Sequence, residues 1–156
     1  MKRKETLSPA QSLIRFTFLA YCGLMLWLLF GQRMEDGLLH ITLDTTGENL
    51  NFVPFETLRL YGRLLQNGAS QTLLRHAIIN LVGNVVMFVP LGWFLPAVWQ
   101  VFRGFFKTVI FGITVVCLVE LLQYITGLGS CDIDDLILNT VGIILGYSLW
   151  KLKRKK

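Results

Sequence analysis

The chain has 156 residues, 53% of them hydrophobic and 16% charged, with a mean hydropathy of +0.55. Soluble domains carry about a quarter charged residues, so this composition excludes an ordinary soluble domain and points to lipid. The net charge of +5 does not indicate nucleic-acid binding. Its carriers gather at the chain ends, at Lys2, Arg3 and Lys4 and at Lys151, Lys153, Arg154, Lys155 and Lys156, each set abutting a long apolar run. Basic ends of that kind hold a membrane protein on its cytoplasmic side.

In chain order, the sequence predicts an all-α membrane protein with four transmembrane helices. The apolar runs cover 13–31, 77–102, 105–126 and 133–150. Each meets the requirement of about 17–25 residues for a crossing. Arg15 interrupts the first run near its start, where a long side chain can snorkel to the interface. No small-residue cleavage site follows Gly31, so the first run is expected to be an uncleaved anchor. The organisation that follows is a basic tail over 1–12, an anchor helix over 13–31, an extracytoplasmic loop over 32–76, a three-helix core over 77–150 and a basic tail over 151–156.

Charge in the connections sets the expected orientation. The link around Arg103 and Lys107 is purely basic, and the link holding Asp132, Asp134 and Asp135 is purely acidic. Placing both termini and the Arg103 link in the cytoplasm satisfies the positive-inside rule throughout. The protein is thus expected in the cell membrane as a multi-pass chain with both termini cytoplasmic and membrane lipids as its immediate partners.

The long outer loop has two parts. Residues 36–50 carry turn formers and suggest turns or a short strand pair. Beyond Pro54, the residues Phe55, Leu58, Tyr61 and Leu65 recur at helical spacing, with Glu56, Arg59 and Arg63 on another face. Pro54 suits a helix start, and the pattern predicts an amphipathic segment on the outer membrane surface.

Polar residues inside spanning helices are costly and mark function or helix packing. Asn80 and Asn84 lie one turn apart on the second run, and Glu120 and Gln123 share a face of the third. The fourth opens with Asp132, Asp134 and Asp135, with Asn139 one turn beyond Asp135. At about 1.5 Å per residue, Asn84, Glu120 and Asn139 each lie about 9–10 Å below the outer surface. These residues, Asn80, Asn84, Glu120, Gln123, Asp132, Asp135 and Asn139, form the candidate ligand site. An isolated carboxylate at the depth of Glu120 needs a proton, a partner or water, and Asn84, Gln123 and Asn139 are the natural hydrogen-bond partners. The plainer account is that the amides join helices, each bond contributing about 1 kcal/mol. Gly83, Gly142 and Gly146 allow close helix approach, and Pro90 is expected to kink the second helix.

The three cysteines fit neither a zinc site nor a disulfide framework: Cys22 and Cys117 lie in apolar runs and Cys131 beside Asp132.

The stretch Asn80-Leu81-Val82-Gly83-Asn84 through Pro90-Leu91-Gly92 resembles the first signature of the VanZ-like membrane proteins. Glu120-Leu121-Leu122-Gln123, followed by Asp132 through Gly142, resembles the second, and Asn51 to Phe55 is similar to the family's Asn-x-x-Pro-Phe element. The resemblance covers residues 51–147 and implies a four-helix membrane domain linked to resistance against teicoplanin-type glycopeptide antibiotics. Family members often carry an arginine before the acidic cluster; Gly129-Ser130-Cys131 has none, so any role for that cation passes to Arg75.

Two functions follow as expectations. One is a cell-envelope protein that binds or shields a lipid-linked or glycopeptide ligand at the outer leaflet. The alternative is an intramembrane enzyme acting on an envelope lipid or precursor, with Glu120 as acid or base and Asp135 in the catalytic set. No cofactor is expected, although a divalent cation such as magnesium or calcium would suit oxygen-only ligands. A carrier is a weaker third reading, because no internal repeat is visible.

Overall fold

The computed structural model describes residues 8–31, 50–66, 68 and 70–155. The turns or strand pair expected over 36–49 and the basic residues Lys2, Arg3 and Lys4 lie outside the described residues. Among the described residues there are five α-helices: α1 (Pro9–Leu26, continued by a π-helical stretch Trp27–Gly31), α2 (Glu56–Gln66), α3 (Gln71–Val98), α4 (Phe105–Ile125) and α5 (Ile133–Lys155). Four of them, all but α2, are long and apolar enough to cross a membrane.

Two helices begin earlier than their apolar runs, for the same reason. The Ser8 hydroxyl accepts the Gln11 N–H while the Gln11 side chain accepts the Ser8 N–H, and Pro9 occupies the first helical position. This capping box starts α1 four residues before Leu13. Ser70 caps α3 through the Leu73 N–H, so the helix begins at Gln71 rather than at Ala77. It ends at Val98, and Gln100–Arg103 form a separate 3-10 turn. The basic residues after Trp150 continue α5 through Lys155 instead of forming a separate tail.

The core is a parallel-running pair, α3 and α5, with α4 returning between them in sequence. Gly92 faces the Ile143 backbone, Gly142 the Val85 carbonyl and Gly146 the Val89 carbonyl, and a side chain at any of the three would collide with backbone. Small residues that let backbones meet are how membrane helices gain packing energy without a hydrophobic driving force. Ile143 and Val116 are fully buried, and Met25, Phe88, Leu91 and Leu95 complete the cluster. Gly83, by contrast, faces open space and brings no helix close.

Helix α3 runs on through Pro90 and Pro96 without interruption. Neighbouring groups commonly satisfy backbone loosened by a membrane proline. Here the Tyr21 hydroxyl donates to the Met87 carbonyl at 2.8 Å, in the turn preceding Pro90. Helix α1 therefore does more than anchor. Its Phe18 and Tyr21 rings also lie 5.6 and 5.8 Å from the Phe94 ring, so they pack directly on α3.

Charge is segregated along the bundle. At one end the Tyr147 hydroxyl donates to the Arg103 carbonyl, which brings the basic turn beside the basic end of α5. Lys153 lies over the Trp93 ring and Arg154 over the Trp150 ring at that same end. Asp132, Asp134 and Asp135 lie at the opposite end, where α2 packs.

Candidate functional site

The site is organised at the start of α5. Two residues before that helix, Cys131–Asp132 (β2) pair in parallel with Leu50–Asn51 (β1), setting Leu50 opposite Cys131 and Asn51 opposite Asp132. This short ladder brings the segment before α2 onto the acidic cluster. The Asp132 carboxylate then accepts from Asn51 Nδ2 at 3.2 Å, from the Thr57 hydroxyl at 2.8 Å and from the Asp134 N–H at 2.8 Å.

Asp134, 1% exposed, caps a helix that is not its own. Its oxygens accept the N–H groups of Phe55, Thr57 (2.9 Å) and Leu58 (3.4 Å), at the start of α2. The first N–H groups of a helix lack internal partners and carry partial positive charge, so a carboxylate is the matching group. Phe55 adopts a left-handed backbone, φ 66°, which is uncommon for a bulky residue and costs about 1–2 kcal/mol. The carboxylate that takes its N–H holds it there. Pro54 consequently stands before the turn rather than inside the helix.

A second chain of polar groups joins α2, α3 and α5. Asn80 Nδ2 donates to the Tyr61 hydroxyl at 3.1 Å, and Asn84 Nδ2 donates to Asn80 Oδ1 at 3.2 Å and to Asp135 Oδ1. Three of the candidate residues, Asn80, Asn84 and Asp135, are thus in one network. Tyr61 on α2 is one end of it; the sequence pattern assigned that residue to an apolar face and missed its hydroxyl.

Glu120 belongs to a different part of the site. It is 6% exposed and lines a cavity of about 160 Å³ with Phe52, Cys117, Cys131, Asp132, Ile133 and Leu136. The amides expected to serve it are directed elsewhere: Asn84 as described, and Gln123 Nε2 to the Leu29 carbonyl at the end of the first membrane helix, 3.2 Å away. Gln123 therefore ties α4 to the α1 end. Asn139 is buried, and among the described residues its Oδ1 has no hydrogen-bond donor. Arg75 and His76 are exposed on the first turns of α3.

The Cys131 thiol titrates above the ordinary thiol range. Burial is the main cause, followed by the charge of Glu120, with smaller contributions from Cys117 and Asp132. Among the described residues, no group of three His, Cys, Asp or Glu side chains is arranged to hold a metal ion.

Sequence reasoning missed Asn51, Thr57 and Tyr61. The Asn-x-x-Pro-Phe element pointed at the first; nothing local to the other two distinguishes them from surface polar residues.

A family model described as VanZ/LLP1 matches residues 18–154, which takes in most of the first helix as well as the core. Protein VanZ of Enterococcus faecium is 35% identical over 76 residues, which is 49% of this chain and 47% of that protein. The match thus spans about half the length of that curated relative. No solved structure matches.

Proposed function

The chain belongs to the VanZ/LLP1 family, and on that premise we propose that it acts in the bacterial cell envelope, contributing to resistance against teicoplanin-type glycopeptides by binding or shielding a lipid-linked or glycopeptide ligand at the outer leaflet. In this reading both termini are cytoplasmic, so the acidic end of the bundle faces outward. The segregation of Arg103, Lys107 and the end of α5 from the aspartates supports that orientation, because basic residues are retained on the cytoplasmic side.

The observation that carries the reading is the clamp of Asp132 and Asp134 on the segment from Asn51 to Leu58. It fixes an outer segment with exposed Phe52, Val53, Phe55, Leu60 and Leu65 over the polar groups of α3, α4 and α5. Apolar side chains at that level suit insertion between outer-leaflet lipids, with the polar network directly beneath them.

The test compares Glu120→Gln and Asp135→Asn with the unaltered chain in a susceptible host. A fall in the teicoplanin inhibitory concentration to that of cells without the protein, at equal membrane abundance, is the expected result. An inhibitory concentration that neither substitution changes, at equal abundance, rejects the reading.

A further inference from the structure

The cavity beside Glu120 has a size, a charge and an opening that together restrict what it can hold. An apolar cavity of similar volume takes a molecule the size of benzene. A glycopeptide is far larger, so the space admits only a small group with a few attached methylenes. Its walls are the apolar Phe52, Ile133 and Leu136 and the thiols of Cys117 and Cys131, and its two ionisable carboxyl groups are Glu120 and Asp132. Among the described residues, no lysine, arginine or histidine lines it.

That lining opposes an anion. Burial, the larger cause of the raised Cys131 thiol, opposes any unpaired charge, while the Glu120 charge acts specifically against a phosphate or carboxylate entering the same space. It favours a cationic donor. The Asp132 oxygens are already engaged by Asn51, Thr57 and the Asp134 N–H. A carboxylate offers about four acceptor positions, so Glu120 accommodates a further donor beside its existing contacts.

The opening faces lipid. Cys117 is exposed, as are Leu118 and Leu121 beside it on α4, and Phe52 at the cavity's outer edge is 64% exposed. A spanning helix presents such a face to hydrocarbon, so a ligand arrives sideways from the bilayer and must itself be an amphiphile.

We infer that this cavity binds the primary ammonium head of a membrane amphiphile, with Glu120 as its counter-charge and Phe52, Ile133 and Leu136 around the adjoining methylenes. The inference rests on the outer-leaflet reading above and specifies the group that the site admits. An aminophospholipid and an amine borne on a lipid-linked envelope precursor share that chemistry.

The test uses the full chain in phosphatidylglycerol nanodiscs, photolabelled with a long-chain alkylamine bearing a diazirine and, separately, with the alcohol of the same length. The amine should label the peptides holding Cys117 and Leu136 about tenfold more than the alcohol, the preference expected of one charge-assisted hydrogen bond. Glu120→Gln should equalise the two probes, and Leu136→Trp, which fills the cavity and leaves the acid in place, should remove both labels. Equal labelling of the unaltered chain, or an undiminished amine preference in Glu120→Gln, overturns the inference. If Glu120→Gln does not accumulate, the amine-to-alcohol ratio of the unaltered chain together with Leu136→Trp decides. Adding phosphatidylethanolamine to the discs then identifies the source: displacement of the probe assigns the site to aminophospholipid, and retention assigns it to another amine-bearing amphiphile. Amine-selective labelling with a teicoplanin response that neither Glu120→Gln nor Asp135→Asn changes keeps this inference and removes the resistance reading. The reverse pattern removes this inference alone.

Discussion

The Asp134 carboxylate accepts the Thr57 N–H at 2.9 Å across 77 residues of sequence, so one helix of the bundle core caps the short helix α2 that packs on it. Asp134 is buried and holds three backbone donors at once, which makes it the residue most responsible for where the outer segment sits. Asp134→Ala leaves those donors without an acceptor and should lower stability by about 2–4 kcal/mol, the cost of a lost cap with charge-assisted bonds. Asp134→Asn, which keeps one acceptor oxygen, should cost less. Thermal unfolding in detergent gives the magnitude. Hydrogen exchange locates it, with protection lost at Thr57 and Leu58 while the amides of α3 stay protected.

The glycines of the bundle divide into two classes that substitution should separate cleanly. Gly142→Ala and Gly146→Ala drive a methyl group into the backbone of α3 and should destabilise by about 1–3 kcal/mol or more. Gly83→Ala meets open space inside a helix and should be neutral or stabilise by up to about 1 kcal/mol. Unfolding temperatures of the three variants, measured in one detergent, check the contrast.

Among the described residues, two side-chain hydrogen bonds attach the first membrane helix to the others, one from Tyr21 to the Met87 carbonyl and one from Gln123 to the Leu29 carbonyl. Tyr21→Phe and Gln123→Leu should each cost about 1 kcal/mol, the usual value for a hydrogen bond between membrane helices. Cysteine cross-linking between α1 and α3 should report greater separation in the double variant, while the α3–α5 contact is unchanged.

Cys131 provides a pH readout of the cavity. The reactive species is the thiolate, and burial and the neighbouring Glu120 charge both disfavour it. In a chain with Cys22→Ser and Cys117→Ser, alkylation of Cys131 should be slow at neutral pH. Its rate should rise with a midpoint above that of an exposed cysteine. Glu120→Gln removes one of the two main causes and should move that midpoint down. A midpoint that Glu120→Gln does not move would show that burial, with the remaining Asp132 charge, sets it.

What the sequence by itself determined was set by composition and by local periodicity. Apolar runs long enough to cross a bilayer leave little alternative to helices, because backbone groups in hydrocarbon must bond within their own segment. The four-helix count, the Gly142 and Gly146 stripe and the facing of Asn80 with Asn84 all follow from that. The helix starts were not read from the apolar runs, because the Ser8 and Ser70 caps extend α1 and α3 beyond them into polar sequence. The partners of the polar residues were not legible. Asn84 and Glu120 were expected at one depth, with Gln123 a turn nearer the end of α4, yet Asn84 bonds to Asp135, Gln123 reaches the first helix and Glu120 lines a cavity with Phe52 and Cys131. Depth follows from counting residues along one helix, whereas a hydrogen-bond partner depends on how that helix is rotated about its axis against its neighbours. That rotation is set by where Gly92, Gly142 and Gly146 allow backbones to meet, and by a two-residue ladder joining Asn51 to Asp132. The acidic cluster shows the consequence most directly. Three aspartates in four positions read as one patch of charge, and only the tertiary structure assigns Asp132 and Asp134 to the outer segment and Asp135 to the asparagines of α3.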